Sequence, residues 1–244
     1  MSEWFADIKA EFILNFIDGD RWKNITGGLL NTILITIVAA VIGVVLGMIV
    51  AAIRTTYDKN KESLARSNKV VYVIMSFLNA VCKIYLAIFR GTPVVVQLLI
   101  MFFIVFASAT NGVGVAMLAF GINSGAYVAE IFRGGIMSID NGQFEAGRSL
   151  GFNYIQTMMI IVMPQVIKSI LPTLLNEFIA LLKETSVAGY VGITDLTRGG
   201  NIIRGVTFSP FMPLIAVALI YLIMVLLLTY LVGRIERRLK KNER

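Results

Sequence analysis

Polar side chains recur inside apolar stretches of this sequence at spacings that place them on one face of a helix. Asn123, Tyr127 and Glu130 follow the pattern i, i+4 and i+7, and Glu177 and Glu184 are seven residues apart. An acid in apolar surroundings is costly unless it meets an opposite charge or a polar molecule. These residue types and spacings therefore favour the recognition of a small charged or polar solute.

The same charged residues admit a second interpretation. Glu130, Arg133, Lys183 and Glu184 could satisfy one another as buried ion pairs, or could extend their side chains to the membrane interfaces. Several of these positions lie near the ends of apolar stretches, where a charged group reaches water most easily. From the residues alone, both interpretations stay open for any single position.

Catalytic and metal chemistry have few candidate groups in this chain. It contains no His and a single Cys, Cys82, which removes the usual proton shuttle, the commonest metal ligand and any internal disulfide. Lys183 and Ser186 are three residues apart and could form the Ser–Lys pair of a membrane enzyme, but this spacing also arises by chance. We expect the chain not to be an enzyme and to bind no metal or cofactor of its own.

The composition assigns the chain to a membrane. Of its 244 residues, 57% are hydrophobic and only 15% are charged, which leaves too little polar surface to enclose a soluble core. A formal net charge of +7 could suggest nucleic acid, but the basic residues lie at the ends of apolar runs, where they mark the cytoplasmic side of a bilayer. We therefore expect the lipid bilayer, and no nucleic acid, among its partners.

Five apolar runs are long enough to cross a hydrocarbon core of about 30 Å: Leu29–Ile53, Val70–Thr110, Val113–Ile136, Ile160–Lys183 and Phe211–Val232. We expect the second run, interrupted at Arg90–Pro93, to be one Pro-kinked crossing that is entered by a helix at the cytoplasmic interface. Basic residues in Arg54–Lys69, which we expect to be a loop, and at the C-terminal end place both segments in the cytoplasm. The expected fold class is an all-α integral membrane protein with five transmembrane helices, the N-terminus outside and the C-terminus inside.

Three segments divide the chain. Residues 1–28 are expected to form an amphipathic segment at the outer interface, residues 29–239 the transmembrane domain, and residues 240–244 a basic cytoplasmic tail. Within the transmembrane domain, the Gly-rich residues 184–208 form either a simple outer loop or a gate that dips back into the membrane.

A short helix is predicted in the cytoplasmic segment Ser138–Thr157. Asp140 or Asn141 can cap its beginning, Gly151 can end it in the left-handed conformation, and Asn153 or a neighbour can begin a second helix. Two small residues, Ala146 and Gly147, leave the helix surface flat enough for the backbone of another protein to approach. The alternative is an ordinary loop helix that lies on the membrane.

This segment resembles the EAA loop of ATP-binding-cassette importer permeases. The matching positions are Glu145, Ala146, Gly151, Ile161 and Pro164, whereas Gly147 replaces the second Ala of the pattern and Met163 replaces Leu. Three further stretches are similar to the polar amino acid branch of that family: FRGTPVVVQLL (89–99), NSGAYVAEIFRGGI (123–136) and NEFIALLKETS (176–186). The resemblance covers residues from about Leu29 to Leu239 in order.

The resemblance implies a translocation subunit without its own nucleotide site, in a bacterial or archaeal plasma membrane. Its partners would be an ATPase subunit that carries ATP and Mg, a second permease subunit, identical or different, and an extracytoplasmic solute-binding protein. No G-x-x-x-x-G-K-[ST] phosphate loop occurs in the chain, which agrees with this division of labour. A secondary transporter or a channel for small polar solutes is the alternative function.

The resemblance also implies roles for individual residues. Phe144 and Leu150 would supply an apolar anchor on the ATPase and Glu145 and Arg148 polar contacts, so that the expected coupling residues are Phe144, Glu145, Ala146, Gly147, Arg148, Leu150 and Gly151. We expect a polar amino acid, with basic ones included, to be bound by Arg90, Thr92, Gln97, Asn123, Ser124, Tyr127, Glu130, Asn176, Glu177 and Glu184.

Overall fold

A computed structural model describes residues 2–241 of the chain, without the side chains at positions 2, 3, 5, 67, 240 and 241. The described residues are mostly helical and contain no strand. The α-helices are α1 (Ser2–Phe12), α2 (Trp22–Ser67), α3 (Lys69–Gly91), α4 (Val94–Ile100), α5 (Gly112–Met137), α6 (Asn141–Ser149), α7 (Tyr154–Gln156), α8 (Met163–Glu184), α9 (Leu196–Thr207) and α10 (Phe211–Lys241). Turns of π-helix at Ile13–Ile17, Met101–Val105 and Thr157–Val162, and of 3₁₀-helix at Asp18–Asp20 and Thr185–Val191, connect several of them.

Five helical segments within the described range are long and apolar enough to cross a membrane: Trp22–Arg66, Lys69–Gly91, Gly112–Met137, Tyr154–Val191 and Phe211–Leu239. The predicted all-α membrane fold with five crossings is therefore confirmed. Which side of the membrane each terminus occupies stays a prediction.

Helix α2 is longer than the sequence pattern indicated. We expected a loop at Arg54–Lys69, but the helix continues to Ser67, so that prediction was wrong. The segment contains five Lys or Arg residues, which are good helix formers, and no Gly or Pro. The helix stops only where Asn68 turns to extended backbone and caps α3 with its side chain. At its other end α2 begins at Trp22, so the expected boundary after residue 28 falls inside it.

The second apolar run is broken where the sequence predicted a break. Helix α3 ends at Gly91, and α4 begins at Val94, directly after Pro93, which has no backbone N–H to continue the helix. With 23 residues, α3 spans about 34 Å at 1.5 Å per residue. Helix α3 alone is therefore long enough to cross, and Val94–Val105 is a separate, shorter apolar helix, so the prediction of one Pro-kinked crossing over Val70–Thr110 was wrong.

The chain divides into two compact units. The first combines the residues up to Ala39 with Val94–Phe120 and Ile179–Leu231, and the second combines Ala40–Pro93, Gly121–Phe178 and the residues from Val232 onward. The expected basic tail at 240–244 lies partly outside the described residues, because these end at 241.

The first unit is built around α9. Its buried side chains Leu196 and Ile203 pack with Ile25 and Val217. Asp195 caps the helix by accepting hydrogen bonds from the backbone N–H groups of the next turn. Residues 184–208 are thus an ordered 3₁₀ turn, a left-handed Gly192 (φ 83°) and a twelve-residue helix rather than an irregular loop.

A buried amide fastens the N-terminal segment to the end of α9 within the first unit. Asn15 is fully buried; its Oδ1 accepts a hydrogen bond from the Thr207 hydroxyl at 2.8 Å, and its Nδ2 donates one to the Ser209 hydroxyl at 3.3 Å. At the surface nearby, Lys23 lies 2.6 Å from Asp20, and this hydrogen bond and positive charge lower the pKa of the Asp20 carboxyl. Through Asn15, the N-terminal segment therefore takes part in the packing of the first unit.

The second unit packs α2 and α5 through small residues. An added Cβ at Gly43 would lie 3.2 Å from the Ser124 side chain, and one at Gly47 would collide with Val128. Two apolar clusters continue this contact, one around Phe132, Phe144 and Val162 and another around Cys82 and Leu86. This unit positions most of the residues singled out from the sequence.

Candidate functional site

Helix α6 begins and ends as the sequence predicted. Asp140 Oδ1 accepts a hydrogen bond from the Gly142 backbone N–H at 2.6 Å. At the other end Gly151 adopts a φ of 80°, and its N–H and that of Phe152 donate to carbonyls of the last turn. Asn153 then starts α7 with a capping box that Gln156 completes. These caps confirm the predicted helix and isolate it as a short rigid element.

One face of α6 is buried in its own chain. The Phe144 side chain is 7% exposed and stacks on Tyr154 with a centroid distance of 6.5 Å. Gly147 is also buried, because the Thr157 side chain occupies the space where a Cβ would lie. The Phe144 ring thus fastens α6 to this chain, and Gly147 serves close packing within it; the expected contact of Phe144 with a partner subunit stays a prediction.

A second face of α6 is open. Glu145, Ala146 and Arg148 are exposed, and Leu150, at 70% exposure, presents an apolar side chain beyond the helix end. Gly151 is exposed as well. A short, doubly capped helix with a small residue between charged neighbours offers a flat surface to which a second protein can dock.

The polar face of α5 is organised by an ion-pair cluster. Glu130 Oε1 lies 2.5 Å from Arg54 Nη1 of α2, and its Oε2 lies 3.0 Å from Arg133 Nη2 one turn along α5. All three side chains are mostly buried. Glu130 thus forms buried ion pairs, which is one of the two interpretations that the sequence left open.

Two neighbouring residues of α5 bond to other helices of the second unit. Asn123 is buried, and its Nδ2 donates to the Phe89 carbonyl at 3.1 Å. Ser124 is buried as well, and its hydroxyl donates to Glu177 Oε1 at 2.9 Å. Glu177 takes part in none of the ion pairs found among the described residues. Its half-buried carboxylate is therefore held by a neutral donor.

Arg90 and Tyr127 form a further contact in the same unit. The Arg90 guanidinium carbon lies 5.6 Å from the centre of the Tyr127 ring, within cation–π range. Thr92, two residues further along the chain, donates a hydrogen bond from its hydroxyl to the Ile88 carbonyl at 2.8 Å. Arg90 thus contacts Tyr127, and Glu177 contacts Ser124, three residues earlier on α5. Arg90 is exposed and Glu177 is half-buried, and the two side chains carry opposite charges.

The remaining expected solute-binding residues are distributed over both units. Asn176 is exposed on α8 in the second unit. Gln97, which is buried, and Glu184, which is partly exposed, belong to the first unit.

Sequence reasoning missed the role of Arg54. We interpreted it as a cytoplasmic topology signal, whereas it pairs with an acid 76 residues away. The available signal was its position at the end of a 25-residue uncharged run, opposite an acid near the end of another run. Within the described residues, no group of three or more His, Cys, Asp or Glu side chains could hold a metal ion.

The chain is similar in sequence to known membrane transport proteins. The family described as "Binding-protein-dependent transport system inner membrane component" matches residues 67–241. The arginine transport system permease protein ArtQ of Bacillus subtilis is 36% identical over 203 residues, which cover 75% of this chain and 93% of that protein. The glutamine transport system permease protein GlnP of Escherichia coli is 37% identical over 167 residues, which cover 66% of this chain and 76% of that protein.

Two solved structures share the fold. A crystal structure of an amino acid ABC transporter with histidines superposes with a TM-score of 0.75 at 38% identity, over 88% of this chain and 94% of that one. An inward-facing structure of the MetNI methionine ABC transporter gives a TM-score of 0.71 over 88% of this chain and 95% of that one, at 20% identity, and so supports the fold alone.

Proposed function

The chain belongs to the binding-protein-dependent transport system inner membrane components and is the permease subunit of an amino acid ABC importer, and we propose that it imports polar amino acids, basic ones included. It is a multi-pass membrane protein. The transmembrane domain would extend over residues 29–239, preceded by the interfacial segment 1–28 and followed by the basic tail 240–244.

The observation that carries the proposed substrate class is the pair Ser124–Glu177. A carboxylate in a partly dry site is costly when its described partner is a hydroxyl, and an arriving ammonium or guanidinium group would lower that cost. Arg90, held beside Tyr127, offers the complementary charge for the solute carboxylate. The names of two relatives, an arginine and a glutamine permease, support a polar or basic solute.

The polar groups around this pair complete the proposed site. Asn123, Tyr127 and Thr92 would shape it, Asn176 would border it, and Glu130 would act through its ion pairs rather than by contact with solute. Gln97 and Glu184 stay proposed solute contacts of the first unit. A site of this composition would select against apolar side chains, because they would displace water from its polar groups without hydrogen-bonding to them.

Energy would come from a separate ATPase subunit that binds ATP and Mg and docks on the open face of α6. Glu145 and Arg148 would make polar contacts, Ala146 would permit close approach, Leu150 would supply the apolar contact and Gly151 would fix the end of the helix. Because Phe144 and Gly147 tie α6 to the second unit, closure of the ATPase would move that unit as well. A second permease subunit, identical or different, and an external solute-binding protein would complete the complex, in a bacterial or archaeal plasma membrane.

Reconstitution tests this proposal. The chain is purified with its ATPase, placed in proteoliposomes with the solute-binding protein, and assayed for ATP-dependent uptake of radiolabelled arginine, glutamine and leucine. We expect uptake of arginine or glutamine that requires ATP, and little uptake of leucine. Uptake of leucine alone would overturn the substrate class, and uptake that persists without ATP would indicate a secondary transporter or a channel instead.

A further inference from the structure

A lysine lies deep within the apolar helix α3. Lys83 is about 21 Å along the helix axis from Lys69 and about 12 Å from Gly91, which is further than the four-carbon stem of a lysine extends. Its side chain is exposed and belongs to no ion pair among the described residues. A charge at such a depth in lipid is costly unless water or protein surrounds it. Neither the proposed solute contacts nor the ion pairs of the second unit account for this residue.

Lys83 shares one side of α3 with three further polar residues. Ser76, Lys83 and Arg90 follow one another at intervals of seven, and Tyr72 precedes Ser76 by four. Residues at these spacings lie on the same side of an α-helix, so the four form one polar stripe. Lys83 and Arg90 are exposed, and Tyr72 and Ser76 are half-buried. The polar stripe is therefore open along its length.

The other two sides of α3 are mostly apolar. One packs into the second unit through the buried side chains of Cys82 and Leu86. Another exposes large apolar side chains, among them Phe77 at 67% and Ile84 at 60%, as a surface in contact with lipid does. A helix with a packed side and a lipid side gains nothing from a third, polar side unless that side borders water. This arrangement favours a water-lined path along the polar stripe.

The polar stripe leads from the proposed solute site towards the polar part of α2. At one end, the Arg90 guanidinium carbon lies 5.6 Å from the centre of the Tyr127 ring. At the other end, the Tyr72 ring stacks on Tyr57 of α2 with a centroid distance of 6.3 Å, among the basic residues that we expect in the cytoplasm. Lys83 lies between the two ends, about 10 Å from Arg90 along the helix axis. All of these residues belong to the second unit.

We propose that the polar stripe lines the inner half of the solute path, and that Lys83 receives the carboxylate of the amino acid as it leaves Arg90. A path must bind its solute strongly enough to admit it and weakly enough, at successive sites, to release it. The ammonium group of Lys83 is a second cation on the way to the cytoplasm, and Ser76 and Tyr72 offer neutral hydrogen bonds beyond it. The inference rests on the proposed function, which assigns the solute carboxylate to Arg90.

Uptake by the complete complex in proteoliposomes tests the role of the charge. Lys83→Met removes the charge and keeps an unbranched side chain. We expect the maximum rate of ATP-dependent uptake of arginine and glutamine to fall at least about tenfold and KM to change by less than about twofold, because Arg90 and Glu177 still recognise the solute. Lys83→Arg retains a cation and should keep at least about half of the wild-type rate. The control is Lys61→Met, an exposed lysine of α2, which should behave as the wild type.

Cysteine reactivity tests the surroundings of the same position without relying on transport. In a background with Cys82→Ala, Lys83→Cys should react with a charged, water-soluble thiol reagent at least about tenfold faster than Ile84→Cys, because a thiol ionises in water and not in lipid. Ile84 is the adjacent residue and lies on the exposed apolar side, which makes it the matched control. Saturating L-arginine or L-glutamine during ATP-driven transport should slow the reaction at position 83.

Four results would overturn the inference. A wild-type maximum rate in Lys83→Met would show that the charge is not used, and a raised KM at an unchanged maximum rate would make Lys83 part of the recognition site. Equal reaction rates at positions 83 and 84 would place Lys83 in lipid. A loss of uptake in Lys83→Met together with a lower unfolding temperature of the complex would make Lys83 a structural partner of the second permease subunit. Failure of the proposed function would appear separately, as absence of ATP-dependent uptake in the wild type.

Discussion

Arg54 and Glu130 form an ion pair between α2 and α5, with 2.5 Å between Nη1 and Oε1. Arg133 contacts the other oxygen of the same carboxylate. One acid thus balances two guanidinium groups in a site that is mostly shielded from water. Its removal would leave two like charges side by side, which makes Glu130 a test of stability rather than of solute recognition.

Replacement of Glu130 should destabilise the fold. In Glu130→Gln the neutral amide no longer offsets Arg54 and Arg133, and we expect a loss of about 2 kcal/mol in the free energy of unfolding. Thermal unfolding of the detergent-purified chain measures this. The control is Glu62→Gln, an exposed acid on α2. Equal stability of both variants would refute a structural role for Glu130.

Replacement of Glu177 should change recognition and leave the fold intact. The amide oxygen of Glu177→Gln can still accept the hydrogen bond from Ser124, so the helix contact survives while the negative charge is lost. We expect the KM for uptake of a basic amino acid to rise about tenfold, which corresponds to about 1.4 kcal/mol. Unchanged KM for every polar and basic amino acid tried would place recognition elsewhere.

A bulky charge on the open face of α6 should uncouple ATP hydrolysis from transport. Ala146 is exposed between Glu145 and Arg148, so Ala146→Arg should fold and insert normally but reduce solute-stimulated ATP hydrolysis by at least about tenfold. Ala65→Arg introduces the same side chain at an exposed position of α2 and serves as the matched control. Normal coupling in Ala146→Arg contradicts the assignment of α6.

Replacement of Gly147, the neighbour of Ala146, should lower stability. A Cβ at Gly147 would lie 2.6 Å from Thr157 side-chain atoms, so Gly147→Ala should displace α6 from its seat and cost about 1–3 kcal/mol. The measurement is again thermal unfolding. The double variant Gly147→Ala, Thr157→Ser, which removes the Thr157 methyl group, should recover part of the loss. If it recovers nothing, the close contact is not the cause.

Cysteine labelling checks the orientation in the membrane. In a background in which the buried Cys82 is replaced by Ala, a cysteine at Asp18 should react with an impermeant reagent only from outside, and a cysteine at Lys61 only from the cytoplasm. Both positions are exposed and lie on opposite sides of the first crossing. The reverse result would invert the topology and remove α6 from the cytoplasm.

Local features of α6 were predictable because they depend on neighbours in the sequence. The cap at Asp140, the left-handed Gly151 and the restart at Asn153 each follow from the conformational preference of one residue type. The orientation of the helix was not predictable in this way. Phe144 turns inward because it packs against Tyr154 and the core of the second unit. Such contacts cannot be inferred from the spacing of residues in the sequence.

For the charged residues too, the helix face could be predicted from the sequence but the interaction partner could not. Spacing alone placed Asn123, Tyr127 and Glu130 on one face of α5, but it could not separate Glu130, which is paired with Arg54, from Glu177, which is held by Ser124. The partner of each acid comes from another helix. The extent of α2 was underestimated for a related reason, since charges end a hydrophobic run without ending a helix.

The glycines at which α2 meets α5 bear on how the protein is made. Gly43 and Gly47 lie in a helix that is synthesised long before Ser124 and Val128. During that interval α2 must reside in lipid alone, which its high hydropathy permits. Membrane insertion and helix packing are then separate steps, and only the second depends on the missing side chains at these two positions. Larger residues there would yield a chain that inserts correctly but cannot assemble, and so becomes a substrate for quality-control proteolysis.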